Sequence, residues 1–210
     1  MIKAVLFDIG GVMTDSMAAA MDRLSRLTGA TAQDIAEVIF GGYGVESGNP
    51  WHRVELGELA LPDFVDQARK VHGDRIGTLD AAVMIQVFGT LRVHPEMLEA
   101  VRAVRRRGIR TAAVTNNARE LAGIWRAAVF VDDLFDLVVD SSEVGLRKPD
   151  PAIFQLTLDK LGVRAEETVL LDDIAVNCDA AEQLGIRPLL VSAQPAAVAA
   201  ELDALLNDAS

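Results

Sequence analysis

A few polar residues stand where chemistry is easily built. Asp8 follows the apolar run 2–7 and precedes Gly10-Gly11, while Thr115-Asn116 follows the run 111–114. Ser141 comes just after 137–139, and Asp172-Asp173 follows 168–171. Lys148 lies in Arg147-Lys148-Pro149-Asp150-Pro151. Three carboxylates brought to one point, Asp8, Asp172 and Asp173, would repel and raise one another's pKa unless a cation sat among them. A hard divalent ion with oxygen ligands, most naturally Mg²⁺, resolves that conflict. Lys148 offers an ammonium that can hold a nucleophilic carboxylate and an anionic substrate together. The N–H groups of the Gly10-Gly11 loop and the Thr115 hydroxyl add donors suited to a phosphate. Each piece also has a plainer role. An Asp after a strand often caps a helix, Thr-Asn-Asn makes turns, and Pro151 suits a first helical position. The inference rests on their order and their shared placement.

What must position them is a parallel sheet. The short apolar runs 2–7, 111–114, 137–139, 168–171 and 188–191 each stop at polar residues, as buried parallel strands do. Helical periodicity fills 95–107, 150–161 and 176–184, with Gly108, Gly162 and Gly185 closing each run and a last helix over 195–206. The prediction is an α/β fold, a Rossmann-like parallel sheet with helices on both faces. Ligands of such sheets bind beyond the carboxyl ends of the strands, where Asp8, Thr115, Asn116, Ser141, Asp172 and Asp173 all fall. The segment 16–90 differs, with helices expected at 17–27, 32–40, 54–59, 62–71 and 79–88, broken by Gly41-Gly42-Tyr43-Gly44 and by 73–77. The expected division is therefore an α/β core of 1–15 and 91–210 with a helical cap of 16–90 inserted after the first strand.

Composition narrows the function classes. With 31 Asp and Glu against 20 Lys and Arg, the net charge is −11, so a broad grip on nucleic acid or anionic lipid is not expected. Mean hydropathy is +0.24, yet no run approaches the ~20 apolar residues that cross a bilayer. The first residues lack a secretory leader's long apolar stretch, and a cytoplasmic chain is expected. A single Cys178 makes neither a disulfide nor a thiolate metal site and reads as a small buried residue. His52, His72 and His94 show no metal-ligand spacing, and Arg105-Arg106-Arg107 reads as a solvated helix end.

Four segments, in order, resemble the haloacid dehalogenase-like (HAD) hydrolases: Phe7-Asp8-Ile9-Gly10-Gly11-Val12, the strand ending in Thr115-Asn116, Gly145-Leu146-Arg147-Lys148-Pro149-Asp150-Pro151, and Val169-Leu170-Leu171-Asp172-Asp173. The insertion resembles that family's C1 cap. The runs 51–58 and 171–177 look most like the branch holding sugar-phosphate phosphatases and the N-terminal phosphatase domain of soluble epoxide hydrolases. The resemblance implies Asp8 as a nucleophile forming an aspartyl-phosphate and Lys148 as the residue orienting it. It implies Thr115, Asn116 and Gly11 as binders of the phosphoryl group. Mg²⁺ would be held by Asp8, the Gly10 carbonyl and Asp173, with Asp172 beside it. The implied partner is a small phosphorylated metabolite; oligomeric state is not legible in the sequence.

One departure matters. Relatives place an acid/base Asp two residues after the nucleophile, where this chain has Gly10, and losing such a group costs ~10²–10⁴ in rate. The expected activity is weak or restricted to good leaving groups. Asp15 and His52 are the candidate substitutes, Asp15 reading rather as a helix cap and His52 as a solvated cap residue. Two alternatives stand beside this reading: a non-catalytic HAD-fold protein binding a phospho-ligand or a protein, and a metal-independent 2-haloacid dehalogenase. The acidic pair argues against the latter. Trp51, His52, Arg53, Tyr43 and Trp125 are candidate substrate contacts in the cap.

Overall fold

The computed structural model describes residues 1–41, 48–191 and 194–208. Strand β1 (Ala4–Phe7), four fully buried apolar residues, is followed by α1 (Met17–Thr28), α2 (Ala32–Phe40), α3 (Pro50–Glu55), α4 (Leu61–His72) and α5 (Ala81–Phe88). The chain then alternates through α6 (Pro95–Arg106), β2 (Arg110–Thr115), α7 (Ala122–Ala128), α8 (Val131–Leu134), β3 (Leu137–Asp140) and α9 (Ser141–Val144). It ends with α10 (Pro151–Leu161), β4 (Thr168–Asp172), α11 (Ala175–Gln183), β5 (Arg187–Leu190) and α12 (Pro195–Asp208).

The five strands form a parallel sheet in the order β3-β2-β1-β4-β5, with β1 at its centre. Side chains alternate across it. Val5 and Phe7 point into one apolar layer with Val101 of α6 and Leu202 of α12, while Ala4 and Leu6 join Phe154 and Leu158 of α10 on the other face. Phe7 lies opposite Ala113 on one side and Leu171 on the other, and the ladder runs on through a 2.9 Å bond from the Asp8 N–H to the Leu171 carbonyl. That register sets Asp8 beside Asp172 at the carboxyl edge. The α/β, Rossmann-like reading is the architecture observed.

The helices between β1 and β2 have their own apolar cluster, including Met21, Leu24, Ile35, Trp51 and Phe64, which also takes in Ala118 and Leu121 from the turn after β2. Where the chain leaves the sheet and where it comes back, the two stretches are zipped together: Asp15 N–H bonds the Arg92 carbonyl and His94 N–H the Met13 carbonyl, both at 2.9 Å, around a bridge between Thr14 and Val93.

Several local expectations are corrected. The helix expected at 54–59 is α3, four residues earlier at its start, because Asn49 accepts the Trp51 N–H at 2.9 Å and Pro50 supplies the first position; Gly57, at φ +71°, then bars its extension. Ser16, not Asp15, caps α1, and Asp15 instead pairs with Arg23 at 3.0 Å and Arg92 at 3.6 Å. Arg105 and Arg107 are not merely solvated, since they pair with Asp136 and Asp203. The short helices α7, α8 and α9 were not anticipated, being too brief to show a helical period. Trp125 lies on α7, outside the expected cap. Tyr43 and the glycines beyond Gly41 in its run lie outside the described residues.

Candidate active site

Four segments meet at the carboxyl edge of the sheet. Lys148, 1% exposed, extends its Nζ to within 3.0 Å of Asp8 Oδ1 and 2.6 Å of Asp172 Oδ2. Asp172 is wholly occupied: its other oxygen accepts the Ile174 N–H and the Asn177 amide, both at 2.9 Å. The first of these bonds also turns the chain from β4 toward α11, so the plainer turn-capping role of Asp172 is realised together with its grip on Lys148. Asp173 differs, because its buried Oδ1 has no hydrogen-bond partner.

Asp8, Asp172 and Asp173 each bring one oxygen into a group spanning no more than 4.8 Å. Burial pushes Asp8 up to about 7; Lys148 opposes this, and the neighbouring carboxylates of Asp172 and Asp173 add to it. Asp173 rises to about 6, first through burial and then through Asp172. Burial disfavours the Lys148 ammonium, yet the charges of Asp172 and Asp8 outweigh it and raise its pKa. The orphaned Asp173 oxygen and the strained charge state of the cluster fit a divalent cation held by oxygen ligands. Gly11 is tied to the same cluster. Its φ is +75°, and any Cβ there would run into the Asp173 carboxylate.

Asn116 is placed differently from the simplest form of its expected role. Its side chain clamps the Lys148 backbone, donating Nδ2 to the carbonyl and accepting the N–H at Oδ1, each at 2.8 Å. Thr115, at the end of β2, lines the cavity with its hydroxyl engaged only in a long 3.5 Å contact to the Asn116 carbonyl. Ser141 is not at the cavity; its hydroxyl donates to the Glu55 carbonyl at 2.6 Å and accepts the Asn117 N–H at 3.0 Å.

Glu55 is a docking residue that its local sequence does not mark. It is 3% exposed, accepts from Trp51 Nε1 at 2.9 Å and from Arg147 Nε at 2.7 Å, and so joins the insertion to the residue next to Lys148. Burial pushes its carboxyl up, with Arg147 opposing. Gly57 continues this docking, its carbonyl accepting from Arg119 at 3.4 Å, and the Leu61 N–H donates to Glu120 at 2.8 Å. Asn177 braces Asp172 from the first turn of α11.

A cavity of about 120 Å³ opens between the insertion and the sheet edge, with Asp8, Gly10, Thr115, Asn116, Lys148 and Asp173 at its base. Trp51 and Trp125 line it, while His52, Arg53 and Asp15 do not. Arg53 is exposed and lies 3.7 Å from Glu58. Neither candidate substitute for the acid/base therefore borders the cavity.

A buried carboxylate just past the central strand, a lysine between two carboxylates and a cavity beneath the helices that follow β1 meet at one edge of the sheet. Residues 2–185 match the haloacid dehalogenase-like hydrolases, and the chain belongs to that family. It is 32% identical over 216 residues to acyl-CoA dehydrogenase family member 10 of Mus musculus, a match spanning 98% of this chain but 19% of that protein. It is 27% identical to phosphatase MT3486 of Mycobacterium tuberculosis, covering 90% of this chain and 87% of the relative. A HAD family enzyme of Bacteroides thetaiotaomicron, solved with magnesium and inorganic phosphate, superposes with a TM-score of 0.70 at 20% identity, over 92% of this chain and 97% of that one. Dehalogenases share the fold at similar identity. The chain thus spans about a fifth of the longest of these relatives and most of the others. Among the described residues no helix is long and apolar enough to cross a membrane.

Proposed function

We propose that the chain is a Mg²⁺-dependent hydrolase of phosphate monoesters on small metabolites, working through an aspartyl-phosphate on Asp8. The observation that carries this is the base of the cavity: a buried carboxylate held 3.0 Å from a lysine, beside a second carboxylate with an orphaned oxygen. Asp8, Asp173 and the Gly10 carbonyl would hold the ion, which when bound supplies positive charge to the phosphoryl oxygens and lets the carboxylates ionise together. Asp172, its oxygens already engaged, braces Lys148.

Asp8 attacks phosphorus through a carboxylate oxygen, and the bond from phosphorus to the leaving oxygen breaks, that oxygen keeping the electron pair. Lys148 keeps Asp8 aimed and offsets charge on the transferring group, and the Thr115 hydroxyl and Gly11 N–H supply donors to its oxygens. The Asn116 clamp fixes the backbone from which Lys148 reaches. Water then cleaves the acyl-phosphate, returning Asp8 and releasing phosphate. Gly10 offers no proton to the departing oxygen, so acyl, aryl and anomeric phosphates, whose leaving groups depart more readily, are the favoured substrates. Phosphatase-named relatives of nearly full length support the reading. Against a metal-independent dehalogenase stands the acidic pair, whose charge an anionic haloacid would not need.

The test is hydrolysis of acetyl phosphate and p-nitrophenyl phosphate with and without Mg²⁺, alongside Asp8→Asn. Activity should need the ion and vanish in the variant. Full turnover in EDTA refutes the metal role, and release of chloride from 2-chloropropionate would restore the dehalogenase reading.

A further inference from the structure

The cavity above the carboxylates has a wall unlike its base. Phe40, Trp51 and Phe88 from the insertion face Leu121, Ile124 and Trp125 from the segment after β2. The aromatic side of that wall is prebuilt: Phe40 and Trp51 meet edge to face with centroids 6.2 Å apart, and Trp51 meets Phe64 behind it at 5.2 Å. The polar groups along the wall are largely spent on the protein itself. Both Glu55 oxygens are taken by Trp51 and Arg147, the Asn117 amide by Asp140 at 2.9 Å, and the Thr14 hydroxyl by the Ile9 carbonyl at 3.3 Å. Among the described lining residues beyond the carboxylate cluster, the Trp125 indole N–H and one Asn177 oxygen lack partners.

A leaving group rich in hydroxyls would lose its water here and find almost nothing to bond, weakening binding roughly 5- to 150-fold for each unmet group. An apolar group gains on the same surface. The room enclosed by the described residues is small. At roughly 10–15 Å³ for each water-sized group, the cavity of about 120 Å³ takes on the order of ten such groups, of which a phosphoryl group fills about half. We infer that, of the leaving groups that depart most readily, this site takes an apolar acyl or aryl group of about four to six carbons joined directly to the phosphate, in preference to an anomeric sugar, and not a polyol. This rests on the phosphate-monoester reading above and names the substrate class for that site.

The test uses non-hydrolysable probes and reads binding rather than turnover. Methyl-, propyl-, pentyl- and decylphosphonate, with 3,4-dihydroxybutylphosphonate as the polar probe of similar size, are titrated calorimetrically into the whole chain with Mg²⁺. Each methylene buried should tighten binding about fourfold, so pentylphosphonate should exceed methylphosphonate by at least about 30-fold. The gain should stop before decyl, and the dihydroxybutyl probe should bind no tighter than methylphosphonate. In Ile124→Asp, a change at a partly exposed position of the wall, the pentyl-to-methyl ratio should fall toward one. A flat chain-length series, or the dihydroxybutyl probe as the tightest, overturns the apolar class. If acetyl phosphate is still hydrolysed in that case, the phosphatase reading stands without it. If no probe binds and acetyl phosphate is untouched, the phosphatase reading itself falls and takes this inference with it.

Discussion

Substituting Gly11 by Ala separates a backbone effect from a site effect. Gly11 sits at φ +75°, and a left-handed backbone costs an L-residue roughly 1–2 kcal/mol. Gly108, before β2 at the far end of the sheet, has nearly the same φ of +74°, with open space where a Cβ would go. Gly11→Ala and Gly108→Ala should therefore share the backbone cost, lowering Tm by about 2–8 °C in a chain of this size. They should differ in what the methyl group meets. At Gly11 it overlaps the Asp173 carboxylate, whose farther oxygen, Oδ1, would stand at only 3.0 Å. Asp173 must then shift by on the order of 1 Å, a displacement that can cost about 10²-fold in rate when it misplaces a catalytic array. Melting curves and a Mg²⁺ titration of acetyl phosphate hydrolysis on both variants supply the measurement. The expected result is a similar loss of stability, with a hundredfold drop in kcat/KM and a higher Mg²⁺ concentration for half-maximal rate confined to Gly11→Ala. Wild-type Mg²⁺ dependence in Gly11→Ala would refute the claim that Asp173 and Gly11 form one metal-holding unit.

Gly10→Asp should raise turnover of alkyl phosphates by up to about 10²-fold relative to acyl phosphates, since the former depend most on a proton at departure; the added Cβ meets only the flexible end of Met17, at 3.2 Å. Equal effects on the two classes would count against the missing-acid argument. Asp172→Asn leaves Lys148 with one carboxylate in a buried setting, so activity should disappear and stability fall by about 3–5 kcal/mol in chemical denaturation. A stable, active variant would show that Asp172 is not the brace. Glu55→Ala strips Arg147, whose side chain is 14% exposed, of its buried partner. Stability should drop by about 3 kcal/mol and KM should rise, whereas a change in neither would mean the insertion docks without this pair.

How much of this could be read from the residues follows from the range of the forces involved. Each strand announced itself because an apolar run ended at a polar residue, and the register of Phe7 with Leu171 then delivered Asp8 to Asp172 as the sheet rule required. Helices of two or more turns showed their period, while the one-turn α9 and the short α7 and α8 could not. What types and spacing hid was who holds whom. Asn116 lines the cavity as a candidate phosphate binder, yet its side chain is committed to the Lys148 peptide 32 positions away. Glu55 carried no local signal, since its partner Arg147 lies 92 positions on. The cavity wall was invisible for a further reason: Phe40, Phe88 and Leu121 are apolar residues at helical spacing, and by type they match the interior.

The zipped ribbon at residues 13–15 and 92–94 makes the insertion a modular graft. Both its ends are fixed to each other as well as to the sheet, so a chain could pass from one side of the ribbon to the other by a tight turn without crossing the core. The three carboxylates and Lys148 all belong to segments outside that graft. Exchange of the insertion for another of different lining that keeps the Glu55 contact to Arg147 would therefore change what is admitted to the carboxylates while leaving their arrangement on the sheet, a simple route by which one chemical apparatus acquires many substrates.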